Sequence, residues 1–244
     1  DKAIKLLRER GMAVAAKKAT RAANQGLIGS FVKPDGSAGS LIEVNCETDF
    51  VARNASFQAF VKELSAEAAG VEGSLAQQAA ARVTAKVAEI GENIIVKRNL
   101  RFVRQEPGWV QSYIHLGGKV GVLVELGCGK AATAAAPAFQ ELAKDITLHI
   151  AAASPRFLCR QEVPADAVAA EREIYAKQVE GKPAQIVDKI VDGKMNKFYQ
   201  QICLVEQIFV RDQETVIARL LEAKGKELGD TLTIRRFARY QLGE

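Results

Sequence analysis

Between Leu41 and Cys46 apolar and polar positions alternate: Ile42, Val44 and Cys46 make an apolar set, while Leu41, Glu43 and Asn45 point the other way. A two-residue period of this kind predicts a strand with one buried face. The period stops at Cys46. Thr48 suits a helix N-cap, because its hydroxyl accepts from a free backbone N–H, and Asp49 just inside suits the positive end of a helix dipole. Phe57, Phe60, Val61 and Leu64 then recur at i, i+3, i+4 and i+7, the stripe of an amphipathic helix. Residues 1–24 are expected to be helical as well, on Ile4, Leu7, Val14 and the alanine-rich run AAKKATRAAN. Lys17, Lys18 and Arg21 give that helix a positive face, either a solvated surface or one that steers an acidic partner.

The pattern that begins at Gly26 recurs 82 residues later without a gap. Gly26, Ser30, Gly36, Gly39, Leu41, Glu43 and Cys46 meet Gly108, Ser112, Gly118, Gly121, Leu123, Glu125 and Cys128, and the helical stripe falls on Phe139, Leu142, Ala143 and Ile146. We read an internal duplication, each copy running strand, turn, strand, helix, with Pro34-Asp35-Gly36 and Gly117-Gly118 as the turns. After a glycine-marked break at 70–73, a helix over 75–90 and a strand over 94–103 complete the first copy. Phe50 sits where strand gives way to helix. It either folds into the core or stands out as a wedge for a partner, and the second copy, with Ala132 at that position, favours the wedge.

Beyond Pro155 two helices are expected, 165–180 and 184–200, started by Pro164 and Pro183 and separated by Gly181-Lys182. So short a link requires an antiparallel hairpin, with Ile186, Val187, Ile190 and Val191 along one side of its second helix. The rest reads as a strand at IFVRD (208–212), a helix over 215–228 and a strand over 231–242. In that last strand Leu232, Ile234 and Arg236 alternate with Thr233, Arg235 and Phe237. The fold class is therefore α+β: two duplicated antiparallel sheet-plus-helix subdomains with a projecting helical hairpin. The segments are 1–25 (helix and basic linker), 26–107, 108–163, 164–204 (the hairpin arm) and 205–244 (strand, helix and strand completing the core).

Composition adds bounds. The chain has 244 residues, 48% apolar and 26% charged, enough for a sizeable core, with 34 basic against 29 acidic side chains. No apolar run reaches membrane-spanning length, and the opening lacks a secretory layout, so an intracellular setting is expected. The four cysteines (46, 128, 159 and 203) lie far apart without CxxC or clustered histidines, which argues against zinc and for a reducing compartment. An enzyme would have to pair Cys46 or Cys128 with His115 or His149. An RNA-binding or ribosome-associated protein is the other alternative, motivated by KRNLRFVR (97–104), although that run lacks the glycine and aromatic spacing of base-stacking strands.

The blocks AAKKA (15–19), EVNCETDFVARN (43–54), IGENI (90–94), YIHLGGKVGVLVEL (113–126), DITLHIAAASP (145–155), EREIYAKQ (171–178), GKPAQIVDKIVDGKMNKF (181–198) and RRFARYQLGE (235–244) together resemble the elongation factor Ts family. The resemblance spans nearly the whole chain. It implies a nucleotide exchange factor, without catalytic, metal or cofactor chemistry of its own, that binds elongation factor Tu·GDP and promotes GDP release. It further implies that Asp49 and Phe50, within Thr48-Asp49-Phe50-Val51, enter the partner's nucleotide-binding domain and disturb its magnesium site. A turn at Val120 and Gly121 and the side chain of His149 are implied as further contacts; family members carry isoleucine at the position of Val120. From its helix position alone, His149 reads more readily as a satisfied, partly buried histidine than as a contact. The hairpin corresponds to the family's coiled-coil arm, which contacts the partner or mediates a homodimer, and no membrane or direct nucleic-acid contact is expected. The cytoplasm, or an organelle stroma or matrix, is the expected compartment. Of the family's N-terminal three-helix module only the last helix and linker correspond to residues here, so a preceding segment is expected to be missing.

Overall fold

The computed structural model describes residues 11–179, 181 and 183–244. Ile4 and Leu7 lie outside the described residues, as do Glu180 and Lys182 near the hairpin turn. The opening helix α1 is present over residues 11–18.

Two three-stranded antiparallel sheets form the centre. In the first, β1 (Gln25–Val32), β2 (Ala38–Cys46) and β3 (Ile95–Val103) lie in that order; in the second, β4 (Gly108–His115), β5 (Val120–Cys128) and β6 (Leu232–Gln241) do the same. Between β2 and β3 the chain forms α2 (Asp49–Ala52), α3 (Ala55–Ala68), α4 (Leu75–Gln78) and α5 (Ala80–Ile90). In the second sheet β5 is followed by α6 (Ala131–Ala135) and α7 (Pro137–Ala153), ahead of β6. The predicted stripes are the buried faces of α3 and α7, laid on Ile42, Val44 and Cys46 and on Val122, Val124 and Leu126. Each such side chain contributes roughly 1.5–3 kcal/mol by leaving water.

The sheets also pack on each other, through Ile28, Leu41, Phe102, Val110, Leu123 and Tyr240. This corrects the expectation of a single buried face. All nine residues of β2 and of β5 are buried, because each central strand has a helix on one side and the opposite sheet on the other. Close approach explains two of the repeated glycines: a Cβ on Gly121 would run into Ile28, and one on Gly39 into Val110 and Leu123.

Two glutamates survive in this layer because they are paired. Glu43, wholly buried, receives Arg98 Nε at 2.7 Å and Lys97 Nζ at 3.2 Å. Glu125, its repeat equivalent, receives Arg236 Nε at 2.7 Å and Arg235 Nη1 at 3.2 Å. Each arginine then crosses to the other sheet. Arg98 stacks 4.1 Å from the Tyr240 ring and donates to the Gln241 carbonyl; Arg236 stacks 4.3 Å from Phe102 and donates to the Val103 carbonyl. The relation is a pseudo-twofold between β3 and β6.

Each clamp sits at a bulge, where Lys97 in one sheet and Arg235 in the other is the extra residue of the register shift. The bulge overturns the simple alternation read for the last strand. Ile234 and Phe237 both pack on the helix side, whereas Ala238 and Tyr240 face the other sheet. A second correction concerns IFVRD: it makes one isolated bridge, Ile208 to Val216, and no strand, before α10 (Ile217–Leu228).

The hairpin comprises α8 (Ala165–Gln178) and α9 (Ala184–Ile202). Val168, Tyr175 and Val179 meet Val187, Val191, Met195 and Phe198. Val187, Ile190 and Val191 lie on this inward side as expected, whereas Ile186 is exposed.

Candidate partner-binding site

The junction after β2 is built locally. Thr48 has extended backbone angles (φ −124°, ψ 156°), and its Oγ1 accepts from the Val51 N–H at 3.3 Å, capping the single turn of α2. Asp49 occupies the first turn and pairs with Arg53 at 3.1 Å, an exposed pair of small energetic weight. Ala52 is buried and Val51 packs on the first core. At about 100° per residue, position 50 points almost opposite to position 52. Phe50 therefore leaves the surface, with 81% of it exposed.

Gln25, Glu47, Thr48, Asp49, Phe50, Arg53 and Lys119 line one shallow depression, and Lys119 Nζ donates to Gln25 Oε1 at 3.2 Å. The β4–β5 turn thus lies beside the wedge. Its backbone is anchored there, because the Ile28 N–H donates to the Gly118 carbonyl at 2.8 Å.

The other predicted contacts stand differently. Val120 and Gly121 are buried between layers. The apolar side chain that this turn presents is Leu116, 67% exposed and held at φ 49°, a conformation rare outside glycine. His149 is completely buried. Its Nε2 lies 3.0 Å from Gln207 Oε1, and its Nδ1 accepts from the Val210 N–H at 3.3 Å, an arrangement that fits the Nε2–H tautomer. Burial holds its pKa below the ordinary value, partly opposed by the Gln207 bond. What reaches the surface beside His149 is the segment it supports, through Ile208 and Val210. Sequence reasoning missed Leu116, Ile208 and Val210. An apolar residue at the tip of a Gly-Gly turn was the available signal for the first; the other two carried none.

Nucleophile chemistry has no foothold at the cysteines considered. The Cys46 thiol is pushed up to about 11 by burial and donates to the Thr48 carbonyl, and burial likewise raises Cys128, which donates to Lys130. Among the described residues, no three His, Cys, Asp or Glu side chains gather as a metal site, and no helix is long and apolar enough to cross a membrane.

Residues 47–244 match the sequence profile of the family described as Elongation factor TS. An elongation factor Ts of Trichlorobacter lovleyi is 45% identical, the alignment covering 100% of this chain and 83% of the relative. That of Nitratidesulfovibrio vulgaris is 43% identical with 100% and 85% covered, and that of Clostridium perfringens 43% identical with 100% and 83% covered. On the family match and these relatives, the chain belongs to the elongation factor Ts family of translation elongation factors.

Proposed function

We propose that this chain is a guanine nucleotide exchange factor that binds elongation factor Tu·GDP and promotes GDP release by inserting Asp49 and Phe50 and disturbing the partner's magnesium site. The observation that carries the reading is the exposed Phe50 ring on a capped, anchored helical turn. Phe50 is the most exposed large hydrophobic side chain among the described residues, and aromatic side chains are enriched at protein interfaces. A protein that binds the nucleotide-free GTPase more tightly than the GDP form must weaken GDP binding by the same factor. Displacing magnesium removes the largest positive charge opposing the phosphates, so a small wedge has a large effect.

Thr48 and Val51 hold the wedge, and the turn around Val120 and Gly121 meets the partner through its backbone and Leu116. His149 acts through the 207–210 segment. In this reading residues 26–107 carry the wedge, 108–163 with 205–244 supply the second contact, and the arm 164–204 meets the partner or a second copy. The exchange factor performs no covalent chemistry and acts in the compartment where translation elongation runs. The RNA-binding alternative loses its motivation, since Lys97 and Arg98 hold Glu43, Arg101 pairs with Glu72 and Arg104 with Glu106.

The test is the release rate of a fluorescent GDP analogue from elongation factor Tu. The parent chain is expected to accelerate release, and Phe50→Ala to reduce the acceleration by roughly tenfold or more. An unimpaired variant would reject the wedge; a parent without effect would reject the exchange function.

A further inference from the structure

A helix of one turn cannot hold itself, because the entropy of fixing its residues exceeds what its few hydrogen bonds return. The aim of Phe50 must come from outside α2, and the contacts there converge on one side chain. Glu92 Oε2 accepts from the Glu47 and Thr48 N–H groups, both at 3.0 Å, and Oε1 accepts from the Thr48 hydroxyl at 2.6 Å. With its proton directed to Glu92, the Thr48 hydroxyl turns a lone pair to the Val51 N–H. The Asn93 N–H returns a bond to Glu47 Oε1 at 2.7 Å, and the Asn93 side chain donates to the Arg21 carbonyl at 2.8 Å. Gly91, at φ 84°, ends α5 and turns the chain so that Glu92 reaches this junction.

The second copy supplies an internal comparison. Gly229, at φ 62°, ends α10 and is followed by Asp230, whose carboxylate accepts from the Gly129 N–H at 3.0 Å and the Lys130 N–H at 2.9 Å. The acid clamp on the strand-to-helix junction is thus common to both copies. Two features differ: the hydroxyl that the acid holds is the N-cap Thr48 in the first copy, whereas in the second it is Thr133 inside α6, with Lys130 at the cap position and no side-chain cap; and the aromatic of the first is Ala132 in the second.

We propose that Glu92 is the positioning residue of the exchange wedge, its carboxylate holding the Glu47–Thr48 turn and the Thr48 cap so that α2 presents Phe50 ready to bind. The proposal rests on the functional reading above. A wedge held in its bound orientation spares the ordering cost at association. Glu92→Gln replaces one acceptor oxygen by an NH2 donor, which faces either the two backbone N–H groups or, with the amide turned over, the Thr48 hydroxyl that needs an acceptor for its proton.

The experiment compares full chains carrying Glu92→Gln, Asp230→Asn, Phe50→Ala and the Glu92→Gln/Phe50→Ala pair in the GDP-release assay, with thermal unfolding measured on each. Glu92→Gln is expected to cut the acceleration about tenfold, the effect of weakening one charged hydrogen bond. Asp230→Asn, matched in its clamp but remote from the wedge, is expected to stay within about twofold of the parent while losing comparable thermal stability. In the Phe50→Ala background the Glu92 change should add nothing further, since it acts through that ring. Thr48→Val, which removes the hydroxyl's bond to Glu92 together with its cap on the Val51 N–H and leaves the two backbone bonds to Glu92, is expected to lose about threefold and serves if Glu92→Gln does not fold.

Full activity of Glu92→Gln beside an impaired Phe50→Ala, equal losses in Glu92→Gln and Asp230→Asn, or multiplied losses in the pair would each overturn the proposal alone. An unimpaired Phe50→Ala would overturn the wedge and the proposal together.

Discussion

Phe50 and Ala132 occupy matching positions of a duplicated unit, yet only the first is large, and it stands in solvent. Burying a phenylalanine is worth roughly 1.5–3 kcal/mol, which this chain leaves unrealised in the free state. His149 shows the opposite arrangement, a polar group wholly inside and wholly satisfied. Its native pKa lies below the unfolded value of about 6.5, so the unfolded chain takes up the proton first. Its contribution to stability is present above that value and is lost as pH falls through it toward the native pKa. Thermal unfolding between about pH 7.5 and about pH 5 should show the decline in the parent and a shallower one in His149→Gln; equal slopes would remove the assignment. The Thr48 cap was legible from local chemistry, and the exposure of Phe50 from comparing the copies. The burial of His149 could be read from its helix position, but its partners could not, because Gln207 and Val210 reach it from a segment about sixty residues downstream.

At the level of elements, helical stripes and strand positions were legible, whereas what covers each strand was not. Glu43, Asn45 and Glu125 imitate a wet face, since a pattern of residue types does not reveal that a buried carboxylate has two cations waiting. A bulge is likewise silent: Arg235 looks like any other position of the last strand, but it reverses which side chains face the helices. Gly121 illustrates the packing that results. Gly121→Ala would push a methyl group into Ile28 and part the sheets, at a cost of about 1–3 kcal/mol, read as a lower denaturant midpoint with an unchanged slope. A neutral outcome would mean that the sheets have room to shift.

Over the whole molecule, the reciprocal clamps make the two sheets halves of a near-symmetric body. Glu43→Ala and Glu125→Ala each strand two partly buried cations and should destabilise by a similar amount, roughly 2–4 kcal/mol in urea unfolding. Losses under about 0.5 kcal/mol, the range of surface substitutions, would show the clamps to be incidental. The sequence carries this symmetry in Arg98-Asn-Leu-Arg101-Phe102 and Arg236-Phe-Ala-Arg239-Tyr240, a repeat hidden because the helical hairpin separates β6 from its own copy.

That separation sets an order of assembly. The first sheet closes with Ala38 pairing to Val103, while the second waits for β6, in which Gln241 pairs back to Val120. During synthesis the wedge-bearing half can form while the hairpin is still being made, whereas β5 keeps an open edge until the last strand arrives. A chain arrested before β6 would therefore present an exposed strand edge, the feature most prone to pairing with a neighbouring molecule.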